Sequence, residues 1–387
     1  MQKQESIVPN PNIAGIDVDR IEQELTRLWR RTAAQGDEEA AGITRACTLN
    51  LIVYSCERED QNAVSALLDE VIQQHPGRIF LLITERESPQ AALDASVSSH
   101  CRSLSGTKKE ICSEQITIVA KADAVHTAGT AVEPLLVPDV PVFLWWKDVP
   151  DYRDKLWQRL VRMSDRVVVD SACFDKPFED IHALSMLLDQ RPEPIRISDL
   201  NWGRLTTWRS LIASFWDVPA YREALRSIDQ VTIEYCRQEL TPGEVPPKPF
   251  LLAGWLASRL GWRLETGKAF ERSLDFKFQG PDRMIEVRIA ESNVGHLDRD
   301  LLNSVTICSS QSAACFNVAF SHDRHRLTTE ARVADQSSAG RTIAYEARSE
   351  GARLSNELSF ISRDRVYEGS LAVAAAMVAA VARKEVN

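Results

Sequence analysis

The stretch VPVFLWW, residues 140–146, constrains the fold more than any other in this chain of 387 residues. An apolar run bracketed by prolines ends in two adjacent tryptophans, Trp145 and Trp146. Successive side chains of a strand point to opposite faces, so the two indoles demand cover on both sides. A central strand between two helix layers supplies that cover. A partner protein on one face is the other solution.

The flanking sequence favours the first arrangement. Asp19 to Gln35 carries Ile21, Leu25, Leu28 and Trp29 at helical spacing. TRACTLNLIVYS then reads as a strand, DQNAVSALLDEVIQQ as a helix with Val64, Leu67, Leu68, Val71 and Ile72 on one face, and HPGRIFLLIT as turn plus buried strand. ASVSSHCRSL and KKEICSEQITIVAK form an expected strand pair around a turn at residues 105–107. A short helix with Val125 and Val132 leads into VPVFLWW, and a helix from Tyr152 to Met163 leads into RVVVDS, whose continuous valines suit burial on both faces. A helix at 179–190, the strand PIRIS and a helix from Leu205 to Trp216 complete the alternation. From Pro219 the character changes. SIDQVTIEYC, LDFKFQ, MIEVRIA, SVTICSS, ACFNVAF and RTIAYEA alternate at period two, with the helix PFLLAGWLASRL capped by Gly261 and an apolar helix at the end.

A chain of this length outgrows a single hydrophobic core. The reading is therefore an α/β protein with an arm and helix at 1–44, a three-layer Rossmann-like domain at 45–218, and an α+β domain with a mostly antiparallel sheet at 219–387.

With 46 basic and 55 acidic residues the chain carries −9, which argues against general affinity for nucleic acid or an anionic membrane. Its first residues lack the apolar core of a signal peptide, and LAVAAAMVAAVA (371–382) reads as a buried terminal helix, so the expected setting is the cytosol. None of the eight cysteines form Cys-x-x-Cys; Cys47, Cys112 and Cys308 sit in apolar runs and read as small hydrophobes.

Chemistry is sparsely written. A dinucleotide turn needs Gly-x-Gly-x-x-Gly so that backbone can approach the pyrophosphate; the first strand instead leads into SCEREDQN, without glycine and with three acidic residues. SGTKKE echoes a phosphate loop but lacks its first glycine, and no Gly-x-Ser-x-Gly elbow occurs. His322 and His325 in SHDRHR would need further ligands to hold a metal, and His75 before Pro76-Gly77 reads as a helix C-terminal cap. Asp170, at the carboxyl end of the RVVV strand, and the adjacent Ser171 are ligand-crevice candidates. No catalytic residue, cofactor or metal is expected.

What exceeds the needs of such a fold is tryptophan beside arginine and lysine, the pairing that dominates protein interfaces. Trp208 falls on the apolar stripe Leu205, Leu211, Ile212, Phe215 and reads as core. Trp145, Trp146, Lys147, Trp202 and Arg204 are the partner-binding candidates, with core and interface in close competition for Trp146 and Trp202.

In order, RACTLNLIVY, QHPGRIFLL, VPDVPVFLWWKDVP, DRVVVDS, SDLNWGRLTTWR and LLAGWLASRLGW resemble the family of glucose-6-phosphate dehydrogenase assembly proteins, OpcA. The resemblance runs from about Arg45 to Trp262. Gly203 and Thr207 depart from it, standing where members more often carry Ala and Pro. It implies a non-catalytic, cytosolic partner needed for assembly or activity of an oligomeric, NADP-dependent glucose-6-phosphate dehydrogenase in the oxidative pentose phosphate pathway. Relatives in photosynthetic bacteria have been linked to thiol-dependent control, and no cysteine pair here maps onto such a switch. Two other classes stay open: a sensor of a sugar phosphate or nucleotide using Asp170, Ser171 and Lys147, and an enzyme with an unfamiliar site.

Overall fold

The computed structural model describes residues 3–6, 17–34, 43–56, 61–103, 110–189, 195–236, 245–292, 302–321, 325–334, 336–345 and 348–382. The elements begin with β1 (Lys3–Ser6), α1 (Val18–Ala34), β2 (Ile43–Arg45), β3 (Asn50–Cys56), α2 (Gln61–Gln74), β4 (Arg78–Glu85) and β5 (Ala92–Ser103). Next come β6 (Glu110–Lys121), α3 (Val125–Val132), β7 (Val142–Trp146), α4 (Lys155–Met163), β8 (Arg166–Val169), α5 (Pro177–Asp189) and β9 (Arg196–Asp199). They are followed by α6 (Leu200–Arg204), α7 (Thr206–Phe215), α8 (Arg222–Arg226), β10 (Gln230–Tyr235) and α9 (Pro247–Leu260). The remaining strands are β11 (Arg263–Ala269), β12 (Ser273–Gln279), β13 (Met284–Glu291), β14 (Leu302–Ser309), β15 (Ala314–Phe320), β16 (Arg326–Val333) and β17 (Gln336–Ala344). Two helices close the chain, α10 (Glu350–Leu358) and α11 (Arg365–Ala382).

These elements form two compact units. The first holds residues Met1–Asp170, Ile195–Ser198 and Arg348–Arg363; the second holds Ser171–Pro194, Asp199–Ala347 and Asp364–Asn387. The sequence reading placed one boundary at 218/219, whereas the chain passes between the units several times.

In the first unit β6-β4-β3-β7-β8-β9 form one run of neighbours, extended by β5 and β1. β4 pairs parallel with β3 and β6, and β7 with β3 and β8, while β5 joins β6 antiparallel. Numbered along the chain, that run has the order 3-2-1-4-5-6 of a doubly wound sheet. All of β7 and β8, and all but the last residue of β3 and β4, are buried. The Rossmann-like α/β expectation holds.

The sheet's charged interior is tied together at its amino edge. Arg78 Nε donates to Glu114 Oε2 at 2.7 Å, and its Nη1 donates to Glu22 of α1 and to the Leu135 carbonyl. Trp29 of α1 and Arg45 donate to the same Glu114 carboxylate. Buried charges survive only when paired this fully.

In the second unit the order is β11-β12-β13-β10-β14-β15-β16-β17, antiparallel at every neighbouring pair except β10 with β13. The mostly antiparallel sheet was expected; β11 and β16 were not. β11 (RLETGKA) buries only Gly267, so it lacks the alternation by which a strand announces itself. α9 ends at Gly261, whose φ of +70° suits glycine. α9 and α11 touch closely: a Cβ on Gly254 would sit 2.3 Å from the Ser370 carbonyl oxygen. α11 is long and apolar enough to cross a membrane by length and composition, and here Leu371, Ala374, Met377, Val378 and Val381 are buried, as expected of a core helix.

Candidate functional site

In a doubly wound sheet, ligands bind beyond the carboxyl ends of the strands where the strand order reverses. Here that point lies between β3 and β7. The turn that would meet a pyrophosphate, residues 57–60, lies outside the described residues. At the carboxyl ends of β3 and β7 stands a packed aromatic cluster. The Trp146 ring stacks on Tyr54 of β3 with centroids 3.5 Å apart, and Trp157 of α4 meets it edge-on at 4.9 Å. The Tyr54 hydroxyl accepts from Thr84 Oγ1 at 3.1 Å. Burial works against the charge of Arg86, but hydrogen bonds to Tyr54 and Asp154 outweigh it and hold its pKa above the usual value. Asp154 also caps α4 by accepting from the Leu156 amide.

The segment 348–363, joined to this unit from far along the chain, reaches this edge at Glu350 and the amino ends of β4 and β8 through Ser355, Glu357 and Ser362. Lys147 Nζ donates to Glu350 Oε1 at 3.0 Å and stands 4.4 Å from the Trp145 ring centroid. Ser349, which caps α10, donates to Glu70 of α2. Arg166, at 3% exposure, donates to Ser198, to the Ser362 carbonyl and to Glu357. His75 closes α2 as expected, its backbone amide donating to the Val71 carbonyl at 2.9 Å, and its ring Nε2 donates to the Ser355 carbonyl at 2.7 Å. No local pattern marks 348–363 as part of this unit, because its partners lie some two hundred to three hundred residues earlier.

The candidates therefore fall as follows. Trp145 and Trp146 are 0% and 2% exposed, which corrects their reading as contact residues: both faces of β7 are filled from within the chain. Lys147 is fastened to Glu350. Trp202, in the second unit, is buried as well; its Nε1 donates to Asp364 Oδ2 at 2.9 Å and Arg209 lies 3.5 Å over its ring. Arg204 is half-buried, and Trp208 is core as expected. Asp170 is buried in the first unit. In the second, Ser171 donates its hydroxyl to Asp199 Oδ2 at 2.7 Å, and Asp199 also accepts from the Ser171 and Asn201 amides. That hydroxyl is committed to Asp199, whose carboxylate caps α6, so the structure gives the sensor reading no support. His322 lies outside the described residues, as does the turn at 105–107.

Two cysteine readings are corrected. Cys112 is bonded to Cys101 and Cys308 to Cys315, each pair directly opposed across antiparallel strands with Cα atoms 4.1 Å apart. Such close opposition is that of non-hydrogen-bonded sites, where side chains approach most nearly. Cys101, Glu110 and Cys112 also bring ligand atoms within 4.8 Å of one another, but sulfurs joined to each other offer no thiolate to a metal. Cys47 is free, and burial pushes its thiol pKa up, which disfavours the thiolate.

Residues 68–186 match the family described as the glucose-6-phosphate dehydrogenase subunit N-terminal domain, and residues 195–371 match the corresponding C-terminal domain. An OxPP cycle protein named OpcA from Synechococcus elongatus is 31% identical over 333 residues, covering 83% of this chain and 72% of that protein. Its namesake from Nostoc punctiforme is 31% identical over 320 residues, covering 80% and 66%. Among solved structures, aldose-aldose oxidoreductase from Caulobacter crescentus covers 87% of this chain and 98% of its own, with a TM-score of 0.47 and 10% identity. A likeness at that level speaks for no activity. The two domain matches in order, with the identity to a cyanobacterial relative over most of both chains, place this chain in the OpcA family.

Proposed function

We propose that this protein is a non-catalytic partner of glucose-6-phosphate dehydrogenase that binds its folded subunits and favours their active assembly, acting in the cytosol on the oxidative pentose phosphate pathway. The observation that carries this reading is the match of residues 68–186 and 195–371 to two domains described as parts of a glucose-6-phosphate dehydrogenase subunit. The geometry supports it from the other side: the strand-order reversal holds a Tyr54–Trp146 stack, closed by Lys147–Glu350. A protein that binds an assembled form better than its separate subunits shifts the equilibrium by mass action and needs no chemistry of its own.

The test mixes the purified chain with a purified dehydrogenase over a concentration series and follows activity and oligomer mass. A rise in either supports the reading, and no change in both overturns it. Titration calorimetry of the chain alone with NADP is expected to show no micromolar binding. Of the contact candidates, Arg204 keeps exposed surface. Arg204→Ala is expected to melt like the parent and to lose affinity for the dehydrogenase by about 30-fold if it is a hot spot. Trp146→Ala and Trp202→Ala are expected to lose stability first.

A further inference from the structure

The β10–β17 sheet has one face turned to its core and one turned away. Val231, Ile233, Phe276, Val287, Ile307 and Phe316 are buried on the first. Residues of the opposite parity are exposed or half-buried, except at the start of β14, where Leu302 and Ser304 are buried. On that open face the pairing registers align one row across the strands, from Lys268 through Asp275, Arg288, Thr232, Thr306 and Asn317 to Glu330. The centre of the row is small and uncharged. In the neighbouring row Cys308 and Cys315 stand opposed beside Gln230.

Charges lie on the flanks and cancel there. Arg288 pairs with Asp275 at 2.7 Å, Lys277 with Glu286 at 3.4 Å and Arg332 with Glu330 at 3.4 Å. Glu234, the charge nearest the centre, accepts from Ser304 Oγ at 2.7 Å. Two of the large apolar side chains most exposed among the described residues belong to this region. Met284 is 43% exposed on β13, and Phe270, 57% exposed, lines a hollow of ≈320 Å³ together with Thr232, Lys268 and Arg288.

We propose that this open face is a self-association surface, covered by the same face of a second copy of the chain. Three observations favour a copy over other occupants. A chain carrying −9 repels itself through most of its surface, whereas here the charges are matched within the face. An uncharged centre with a charged rim is the anatomy of a protein interface. Eight strands about 4.8 Å apart and about seven residues long cover roughly 900 Å², close to the ~800 Å² per partner of a stable complex. Sheets packing face to face about a two-fold axis need a self-matching surface of this kind.

Sedimentation velocity of the full chain decides it. The parent is expected to run at twice 43.4 kDa at micromolar concentration. Thr306→Arg and Asn317→Arg each place a charge at the centre of both faces and are expected to weaken the dimer about 100-fold while the circular dichroism spectrum is retained. If one variant fails to fold, the other carries the test. A parent that stays monomeric overturns the proposal, as does a dimer that survives a folded variant. A monomeric parent whose variants lose the dehydrogenase would assign the face to that partner instead and equally overturn it.

Discussion

The two sheets solve opposite problems. The parallel sheet around β3, β4 and β7 is buried on both faces, so its strands read as unbroken apolar runs and its few charges, Arg78, Glu114 and Arg166, are each held by several partners. The antiparallel sheet buries one face, so its strands alternate and its charges sit in shallow pairs such as Lys277–Glu286. A sheet covered twice has surface for recognition at its edges alone, and in this chain the carboxyl edge carries the Tyr54–Trp146–Trp157 cluster and the Lys147–Glu350 pair. A sheet covered once keeps a face to spare. That difference places the tryptophans on the side of stability and leaves recognition to residues that composition does not highlight.

The contrast can be broken by denaturant titration of single variants. Trp145→Ala, at 0% exposure, is expected to cost about 3 to 5 kcal/mol. A loss below ~1 kcal/mol would mean that the double cover of β7 is not tight. Glu114→Gln takes away the buried partner of Arg78, leaving it the half-exposed Glu22, and is expected to cost about 3 kcal/mol. The paired change Arg78→Met with Glu114→Leu should cost less than either change alone. Replacing Cys308 and Cys315 together with Ser opens a short loop, an expected loss of about 2 to 3 kcal/mol in the chain-entropy view; non-reducing peptide mapping should find the 101–112 and 308–315 linkages beforehand. Lys147→Met removes a half-shielded ion pair and a cation–π contact, for about 1 kcal/mol. Smallest is Lys277→Ala on the open face, expected within about 0.5 kcal/mol for the single chain. A larger loss that grows with protein concentration would reveal a partner copy lying over it.

Local periodicity is set by neighbours a few residues apart, and it was enough to read the alternation of strands and helices, the both-face burial of VFLWW and RVVV, the Gly261 cap and the core helix α11. The family was legible for a related reason: six short motifs keep their order along the chain whatever their geometry. Sequence could not show that Trp146 meets Tyr54 and Trp157, that His75 holds Ser355, or that Ser171 is spent on Asp199. Nor could it pair Cys101 with Cys112 or Cys308 with Cys315, since a one-residue slip of register would turn the thiols to opposite faces. Those choices depend on strand register and on a segment returning from two hundred residues away, which the folded chain settles collectively because each such contact is worth making only once the others hold the backbone in place.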